Sequence, residues 1–366
     1  MAKRIRCVPY GVEVLSILAL SNCRLQSTAA VLCLVAIVLG LSSCDAGETE
    51  GDADNASVGA SDNRVTFTDL TGETITLPQP PRVACADQTC SVVMADLGLK
   101  QAAARGLGAP AFYYAPGDTP LVIPNDLNPE WFVANDIDVY VAASRPRSPE
   151  AELLADVIQW VWIARGEPGE KLNGKRPTPL EAYYFTTRMI ADMMGVPSAE
   201  AERIINRFEA HMEALAAVAP PGAGDIEVSY FFDRGSGEFL AYGPRMVTCQ
   251  AMQNAGIGKC VSPVDEVNLV NSEAVLALDP QWIGIVDYSL ENRIVKENDA
   301  WAHLTAVKEG RVFVTDLNPR GWSLVETMYH TQRWAYEIWG EDSGVPDPGR
   351  IQDWDPDTKS IIAISK

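Results

Sequence analysis

A thirteen-residue pattern that occurs twice limits the fold of this chain more than any other feature. Asn128-Pro129-Glu130-Trp131-Phe132-Val133-Ala134-Asn135-Asp136-Ile137-Asp138-Val139-Tyr140 returns as Asn271-Ser272-Glu273-Ala274-Val275-Leu276-Ala277-Leu278-Asp279-Pro280-Gln281-Trp282-Ile283. In each copy Asn stands where a helix N-cap belongs and Glu falls near the helix start. An acidic break and a buried strand follow. One copy lies in each half of the 366-residue chain, which predicts two lobes of similar build.

The rest of the pattern agrees. Val65-Thr66-Phe67 and Thr74-Ile75-Thr76-Leu77 flank Thr71-Gly72 as a hairpin, and Pro78 to Pro81 end it. Arg82-Val83-Ala84-Cys85-Ala86 reads as a short buried strand, followed by a helix from about Thr89 to Leu97 that Gly98 stops. A strand is expected at Val139 to Ala142, and Val157 to Ile163 is a further apolar stretch holding Trp160 and Trp162. Thr178-Pro179-Leu180-Glu181 is a capping box that opens a helix to Met194, with Leu180, Tyr184, Thr187, Ala191 and Met194 on one stripe. A second helix over Ser198 to Val218 carries Ile204, Ile205, Phe208, Met212 and Leu215 on its apolar face, with His211 at the boundary of that face. After Pro220-Pro221-Gly222 the alternation restarts: strand Ile226 to Phe232, helices Thr248 to Ala255 and Asn271 to Leu278, strands Trp282 to Val286 and Arg311 to Thr315, and a long helix Trp322 to Trp339. Short strands alternating with helices predict an α/β fold, two lobes with largely parallel sheets. The acidic, Pro-rich stretch 341–366 has no assigned place.

The first residues read as an export signal. Lys3, Arg4, Arg6 and Arg24 precede an apolar run from Thr28 to Leu41, and these 14 residues fall short of the roughly 20 that span a bilayer. Leu41-Ser42-Ser43-Cys44 looks like a lipobox, which makes 1–43 a lipoprotein signal peptide and Cys44 the lipidated first residue. The competing reading is a retained membrane anchor with a chance cysteine, and both export the rest of the chain. The length of the leader places the expected start of translation downstream of Met1. Residues 44–63 are rich in Asp, Glu, Gly, Ala and Ser and are expected to form a flexible tether.

Removing residues 1–43 takes away four Lys/Arg and one Glu and leaves 25 basic against 48 acidic residues. That balance excludes nucleic acid and an anionic membrane surface as partners, so the membrane is met through the lipid anchor only. Cys7, Cys23 and Cys33 leave with the signal, and Cys85, Cys90, Cys249 and Cys260 remain in an oxidising compartment, where two disulfides are expected. Their spacings do not suit zinc. There is no P-loop, no G-x-S-x-G elbow and no H-E-x-x-H motif. Three scattered histidines, His211, His303 and His330, argue against capture of a bare transition metal. No metal site, no resident cofactor and no catalytic residue is therefore expected.

Asp69-Leu70-Thr71-Gly72 with its hairpin, Pro81-Arg82-Val83, the two Asn-x-Glu units, and Trp301-x-x-Leu304-x-Ala306-Val307-Lys308-x-Gly310-Arg311-Val312 come in an order that resembles the substrate-binding proteins of ferric-siderophore and cobalamin ABC importers, the class III periplasmic binding proteins. The resemblance covers roughly residues 64–340. It implies two α/β lobes, 64–177 and 197–340, joined by one long rigid linker helix within 178–196, with the ligand in the cleft between them. It implies a monomer that meets an ABC permease dimer through one surface glutamate per lobe, here Glu130 and Glu273. Lobes that move relative to one another favour the local bridges Cys85–Cys90 and Cys249–Cys260 over pairings that would staple them together.

In open α/β sheets ligands sit beyond the carboxyl ends of the strands. Those ends offer Asp87-Gln88, Arg145, Arg147, Asp233-Arg234, Asp287-Tyr288 and the run from Asp316 to Arg320-Gly321-Trp322. Loops add Tyr113, Tyr114, Trp160, Trp162, Tyr242 and Arg245. Guanidinium forks suit carboxylates, catecholates and hydroxamates, and aromatic faces suit a large, partly apolar chelate. The expected ligand set is Tyr113, Tyr114, Arg145, Arg147, Trp162, Arg234, Tyr242, Arg245, Tyr288, Arg320 and Trp322. The expected function is capture of a ferric siderophore or similar iron chelate and its delivery to the importer. Cobalamin or haem is the alternative within the same fold; an exported lipoprotein enzyme or interaction module is the alternative of a different class.

Overall fold

β1 (Arg64–Thr68) and β2 (Thr74–Pro78) pair antiparallel around the Thr71-Gly72 turn. Gly72 takes φ +84°, a left-handed geometry that favours glycine. Asp69 fastens the hairpin: its Oδ1 accepts the Thr71 N–H at 2.8 Å and its Oδ2 the Trp162 N–H at 3.1 Å. The structure is a computed structural model that describes residues 63–105, 118–143, 149–166, 169–233, 238–286, 295, 298–315 and 321–364.

The first sheet is built from β3 (Val83–Cys85), β4 (Ala103–Ala104), β5 (Leu121–Val122), β6 (Val139–Ala143) and β7 (Gln159–Ile163). Its order is β5-β4-β3-β6-β7, and every neighbouring pair is parallel. Three helices serve it: α1 (Gln88–Asp96), α2 (Pro129–Ala134) and α3 (Pro149–Ala155). Apart from the exposed edge strand β5, its strands are buried on both faces, as parallel strands between helical layers must be. Val83, Cys85, Val139, Val141, Val161 and Ile163 pack on one side, and Tyr140, Trp160 and Trp162 with Phe132 and Leu154 on the other. Cys85 is bridged to Cys90 at the start of α1.

Next comes α4 (Pro179–Met193), opened by a complete capping box between Thr178 and Glu181. Its packing differs from the single stripe read in the sequence. Tyr184 and Met194 are only partly buried, whereas Tyr183, Thr186, Ile190 and Met193 are enclosed. The reason is that α4 is gripped from two sides. Met189, Ile190 and Met193 join the first sheet's core, while Leu180 and Tyr183 join the core of the second. α5 (Ser198–Val218) follows, with Ile204, Ile205, Phe208, Met212 and Leu215 buried. His211 is not a boundary residue but is fully enclosed, because a further long helix closes over that face.

The second sheet holds β8 (Glu227–Asp233), β9 (Glu238–Tyr242), β10 (Lys259–Cys260), β11 (Val267–Asn271), β12 (Trp282–Val286) and β13 (Val312–Thr315). Its order is β11-β9-β8-β12-β13, with β10 beside β8. β8, β10, β12 and β13 pair parallel, whereas β8-β9 and β9-β11 are antiparallel. Around it lie α6 (Val247–Asn254), α7 (Ser272–Leu278), α8 (Thr305–Lys308) and α9 (Leu324–Trp339). Cys249 of α6 is bridged to Cys260 of β10. Among the described residues no strand runs from one sheet to the other, and the chain passes between them by α4 and α5.

The stretch after α9, unplaced in the sequence, folds back on the second lobe and ends in α10 (Ile361–Ile364). Val345, Ile351, Trp354 and Ile361 enter the core beside α5 and α9. The buried Gln332 amide donates to the carbonyls of Pro346 and Lys359 and accepts the Ile361 N–H.

Candidate functional site

The carboxyl ends of the first sheet's strands bring three polar residues to its edge. After β3, Asp87 is the N-cap of α1; its Oδ1 accepts the Cys90 N–H and its Oδ2 accepts the Ala143 N–H at 3.0 Å. Asp87 thus ties β3 to β6. After β4, the exposed Arg105 hydrogen-bonds the Tyr140 phenol. Burial raises that phenol above its ordinary range, and the nearby guanidinium pulls it partly back. After β7, Arg165 is buried beneath the lobe junction. The Glu170 carboxylate accepts the N–H groups of Arg165 at 2.9 Å and Gly166 at 2.6 Å, fixing the turn that aims the arginine. Gly166 takes φ +80°, and a Cβ there would lie 2.8 Å from Pro179 Cα at the head of α4, so the turn requires glycine.

From the second lobe, Trp322 meets this edge, with its ring 6.0 Å from the Arg165 guanidinium carbon. The Trp322 N–H donates to Glu326 Oε2 at 2.8 Å, and the neighbouring Gly321 carbonyl accepts the Tyr183 hydroxyl of α4 at 2.6 Å. Burial pushes the Tyr183 phenol well up, so it stays a neutral donor at physiological pH. A Cβ on Gly321 would approach Thr327 and Val247 too closely, which packs the starts of α9 and α6 together. Two residues before α6 stands Arg245, 3.7 Å from Glu266; Arg176 pairs with the same carboxylate and donates to the Gly166 carbonyl at 3.1 Å. At the inner side of the junction the half-buried Asp96 is pushed up to about 8, chiefly by burial. A hydrogen bond from Ser323 opposes that rise, Glu326 adds to it, and the Val325 backbone opposes it.

The arrangement therefore brings together Arg165, Arg176, Arg245, Trp322 and Tyr183, contributed by both lobes and by α4 with the segment before it. It offers cations and a ring face. Among the described residues no cluster of three metal-ligating side chains occurs. Of the expected ligand residues, Arg245 and Trp322 belong to this junction. Trp162 belongs to the first lobe's core, 5.4 Å from Trp160. Tyr242 is corrected to a core residue: it lies opposite Tyr230 in the β8-β9 ladder with 1 % exposure and leaves no face for a ligand. Tyr113, Tyr114, Arg145, Arg147, Arg234, Tyr288, Arg320 and the lipidation candidate Cys44 lie outside the described residues. Arg105, Arg165, Arg176 and Glu266 were missed by sequence reasoning. The first two each stand just past a strand end, but the two-residue β4 gives no strand signal to count from.

Glu130 and Glu273 are both exposed and stand at the second helical position of α2 and α7. Asn128 and Asn271 cap these helices. The acidic breaks Asp136 and Asp279 both adopt positive φ, +51° and +39°, so the repeated unit holds down to backbone conformation.

Residues 138–319 match the family described as periplasmic binding protein. No curated relative matches the chain. Among solved structures, the triscatecholate siderophore binding protein FeuA from Bacillus subtilis, complexed with ferri-bacillibactin, aligns with a TM-score of 0.60 at 16% identity, covering 75% of this chain and 98% of that one. FhuD from Vibrio cholerae, a siderophore binding protein with bound Fe3+-Desferal, gives 0.57 at 15% identity over 71% and 98%. The periplasmic heme binding protein HutB of Vibrio cholerae gives 0.57 at 12% identity over 71% and 100%. At these identities the likeness is one of fold.

Proposed function

Because this chain is a member of the periplasmic binding protein family, carrying that domain over residues 138–319, we propose that it is a lipid-anchored extracytoplasmic receptor that captures a ferric siderophore or similar bulky iron chelate between its lobes and delivers it to an ABC permease. The observation that carries this reading is the meeting of Arg165, Arg176, Arg245 and Trp322 at the lobe junction of a chain whose net charge is −20. Cations gathered against that background favour an anionic cargo, and guanidinium forks with an aromatic face match a chelate's oxygens and apolar rim. The bulky iron ligands named for FeuA and FhuD support the same class. Cys44 would carry the lipid, 45–63 the tether, 64–177 the first lobe, 197–340 with the stretch to 364 the second, and Glu130 with Glu273 the permease contacts. Among the described residues no helix is long and apolar enough to cross a membrane.

The test is tryptophan quenching against a panel of ferric catecholates, ferric hydroxamates, haem and cobalamin. A ferric siderophore should bind, and Arg245→Ala and Arg320→Ala should each weaken an anionic chelate more than about tenfold, the loss of one charge-assisted bond of about 1.5–3 kcal/mol. Haem belongs in the panel because HutB is named for it. Unchanged affinity in both variants removes the electrostatic account, and binding of haem alone reassigns the cargo within the fold.

A further inference from the structure

We propose that Glu266 is a built-in counter-anion that competes with anionic cargo for Arg176 and Arg245, and so sets how strongly the receptor prefers charged chelates over neutral ones. The inference rests on the receptor reading above. Both guanidiniums converge on one oxygen, Glu266 Oε1. Arg176 comes from the segment ahead of α4 and is steadied by the Gly166 carbonyl at 3.1 Å. Arg245 comes from the other lobe, in the turn before α6, and at 3.7 Å its Nε is held by charge rather than by a hydrogen bond. The three side chains keep 32%, 41% and 32% of their surface exposed, for Arg176, Arg245 and Glu266 respectively, so a solute can reach them.

The carboxylate is placed by the backbone. The Gly243 N–H donates to the Glu266 carbonyl, and the Arg245 N–H donates to the Asp265 carbonyl at 3.1 Å. A Cβ at Gly243 would lie 2.3 Å from the Asp265 carbonyl carbon, so only glycine lets the two segments approach this closely. Exposed ion pairs add little to folding stability, which leaves the convergence unexplained by stability alone. One carboxylate against two guanidiniums leaves one positive charge in excess. An anionic cargo can take the place of Glu266 on the arginines; a neutral one offers no replacement and leaves the pairs as they are. As water leaves the cleft around a bulky ligand, these charges interact more strongly, and the choice sharpens.

The experiment titrates the full chain by tryptophan quenching with two probes of similar size, the trianionic ferric tris-catecholate and the neutral ferric tris-acetohydroxamate. Glu266→Gln should raise the affinity ratio of the trianion over the neutral chelate by about tenfold, within the coupling measured for close charge pairs. Glu266→Asp, which draws the charge back by one methylene, should raise it by about twofold and carries the test if the glutamine variant does not fold. A ratio that stays constant or falls in the variants overturns the inference, as it would if Glu266 only braced the lobes. Wild-type chain that binds neither probe overturns the receptor reading and this inference with it; wild-type chain that binds both, with no rise in the variants, overturns this inference alone.

Discussion

In the first lobe every neighbouring pair of strands in the sheet runs parallel, whereas in the second an antiparallel run, β8-β9-β11, stands beside the parallel β8-β12-β13. Both lobes share the capped helix, left-handed acidic residue and buried strand of the repeated unit, which places β6 and β12 centrally or next to centre. What differs is the bracing. The first lobe has two strands of two residues each on one side of its sheet, β4 and the edge strand β5. Each lobe has a hairpin and one bridge, and the second adds the 341–364 stretch, bound into a large core with α5 and α9. The shared unit fixes where the junction residues arise, and the added parts make the second lobe the frame against which Arg245 and Trp322 are held.

The largest effect should come from stripping that bracing. Deleting 341–366 removes Val345, Ile351, Trp354 and Ile361 from the core and leaves the buried Gln332 amide without its three backbone partners. Each buried apolar side chain is worth about 1.5–3 kcal/mol, so the loss should exceed about 4 kcal/mol. Calorimetry should then show the second lobe melting apart from the first. A single transition at an unchanged temperature would mean that the stretch is an ornament and the contrast between the lobes is false.

The disulfides allow a finer contrast. Both close loops within their own lobes, over sequence separations of 5 and 11 residues. Chain entropy gives the longer loop more weight, about 3 kcal/mol against about 2 kcal/mol. Replacing Cys249 and Cys260 by alanine should therefore lower the denaturation midpoint more than replacing Cys85 and Cys90. The reverse order would show that the first lobe depends more on its bridge because it has less else to hold it.

A pH series should probe the two regions with opposite signs. Burial holds the His211 imidazole, in the second lobe's core, down to about 3 from its ordinary 6.5. The unfolded chain takes up a proton below pH 6.5 that the folded lobe refuses until about 3, so stability falls as pH drops through that window, by up to about 1.4 kcal/mol per pH unit. Asp96, at the junction, has the opposite sign. Its folded value of about 8 lies above the unfolded 3.8, so its contribution is complete below pH 3.8 and is lost as pH rises through 8. Between about pH 4 and 6.5 the two slopes oppose each other. In melting curves from about pH 4 to 9, Asp96→Asn should therefore remove the loss of stability between pH 6.5 and 8 and expose an acid limb below 6.5, whereas His211→Gln should leave stability falling throughout from about pH 4 to 8. If Asp96→Asn keeps the loss between pH 6.5 and 8, or His211→Gln shows the acid limb that Asp96→Asn exposes, the assignment of the two opposite slopes to the junction and to the core fails.

The shared unit was legible in the sequence because its signals are local: Asn caps, Glu in the first turn, then a run of apolar residues. The capping box of α4 was legible for the same reason. The hairpin strand β9 was not, because Glu238 to Tyr242 is short and alternates weakly, and β11 was hidden because its last residue, Asn271, is also the cap of α7. The one-stripe reading of α4 and the boundary reading of His211 failed because burial there is set by a second lobe and by α9, which no local period reports. At the junction, Trp322 and Arg245 could be picked from strand-end logic and composition. Arg176 and Glu266 could not: their partnership spans 90 residues of sequence and exists only once the lobes meet.

The smallest effect on stability, and the sharpest test of the likeness between the lobes, belongs to Glu130 and Glu273. Each sits at the positive end of a short helix, where the macrodipole favours a carboxylate by about 0.3–1 kcal/mol, and this suffices to explain one such residue. It does not explain why both copies of the unit keep the residue exposed at the same helical position. Two equivalent carboxylates, one per lobe, suit a partner with two-fold symmetry, since each then meets the same surface. An exposed pair adds only about 0–1 kcal/mol but orients the encounter and speeds it. The double variant Glu130→Arg with Glu273→Arg should lower the melting temperature by little, the loss of two helix-end carboxylates, and leave chelate affinity in solution close to wild type. Uptake of labelled chelate by cells should be abolished, and each single variant should fall in between. Should the double variant import normally, the two glutamates are helix-end residues only, and the equivalence of the lobes ends at the fold.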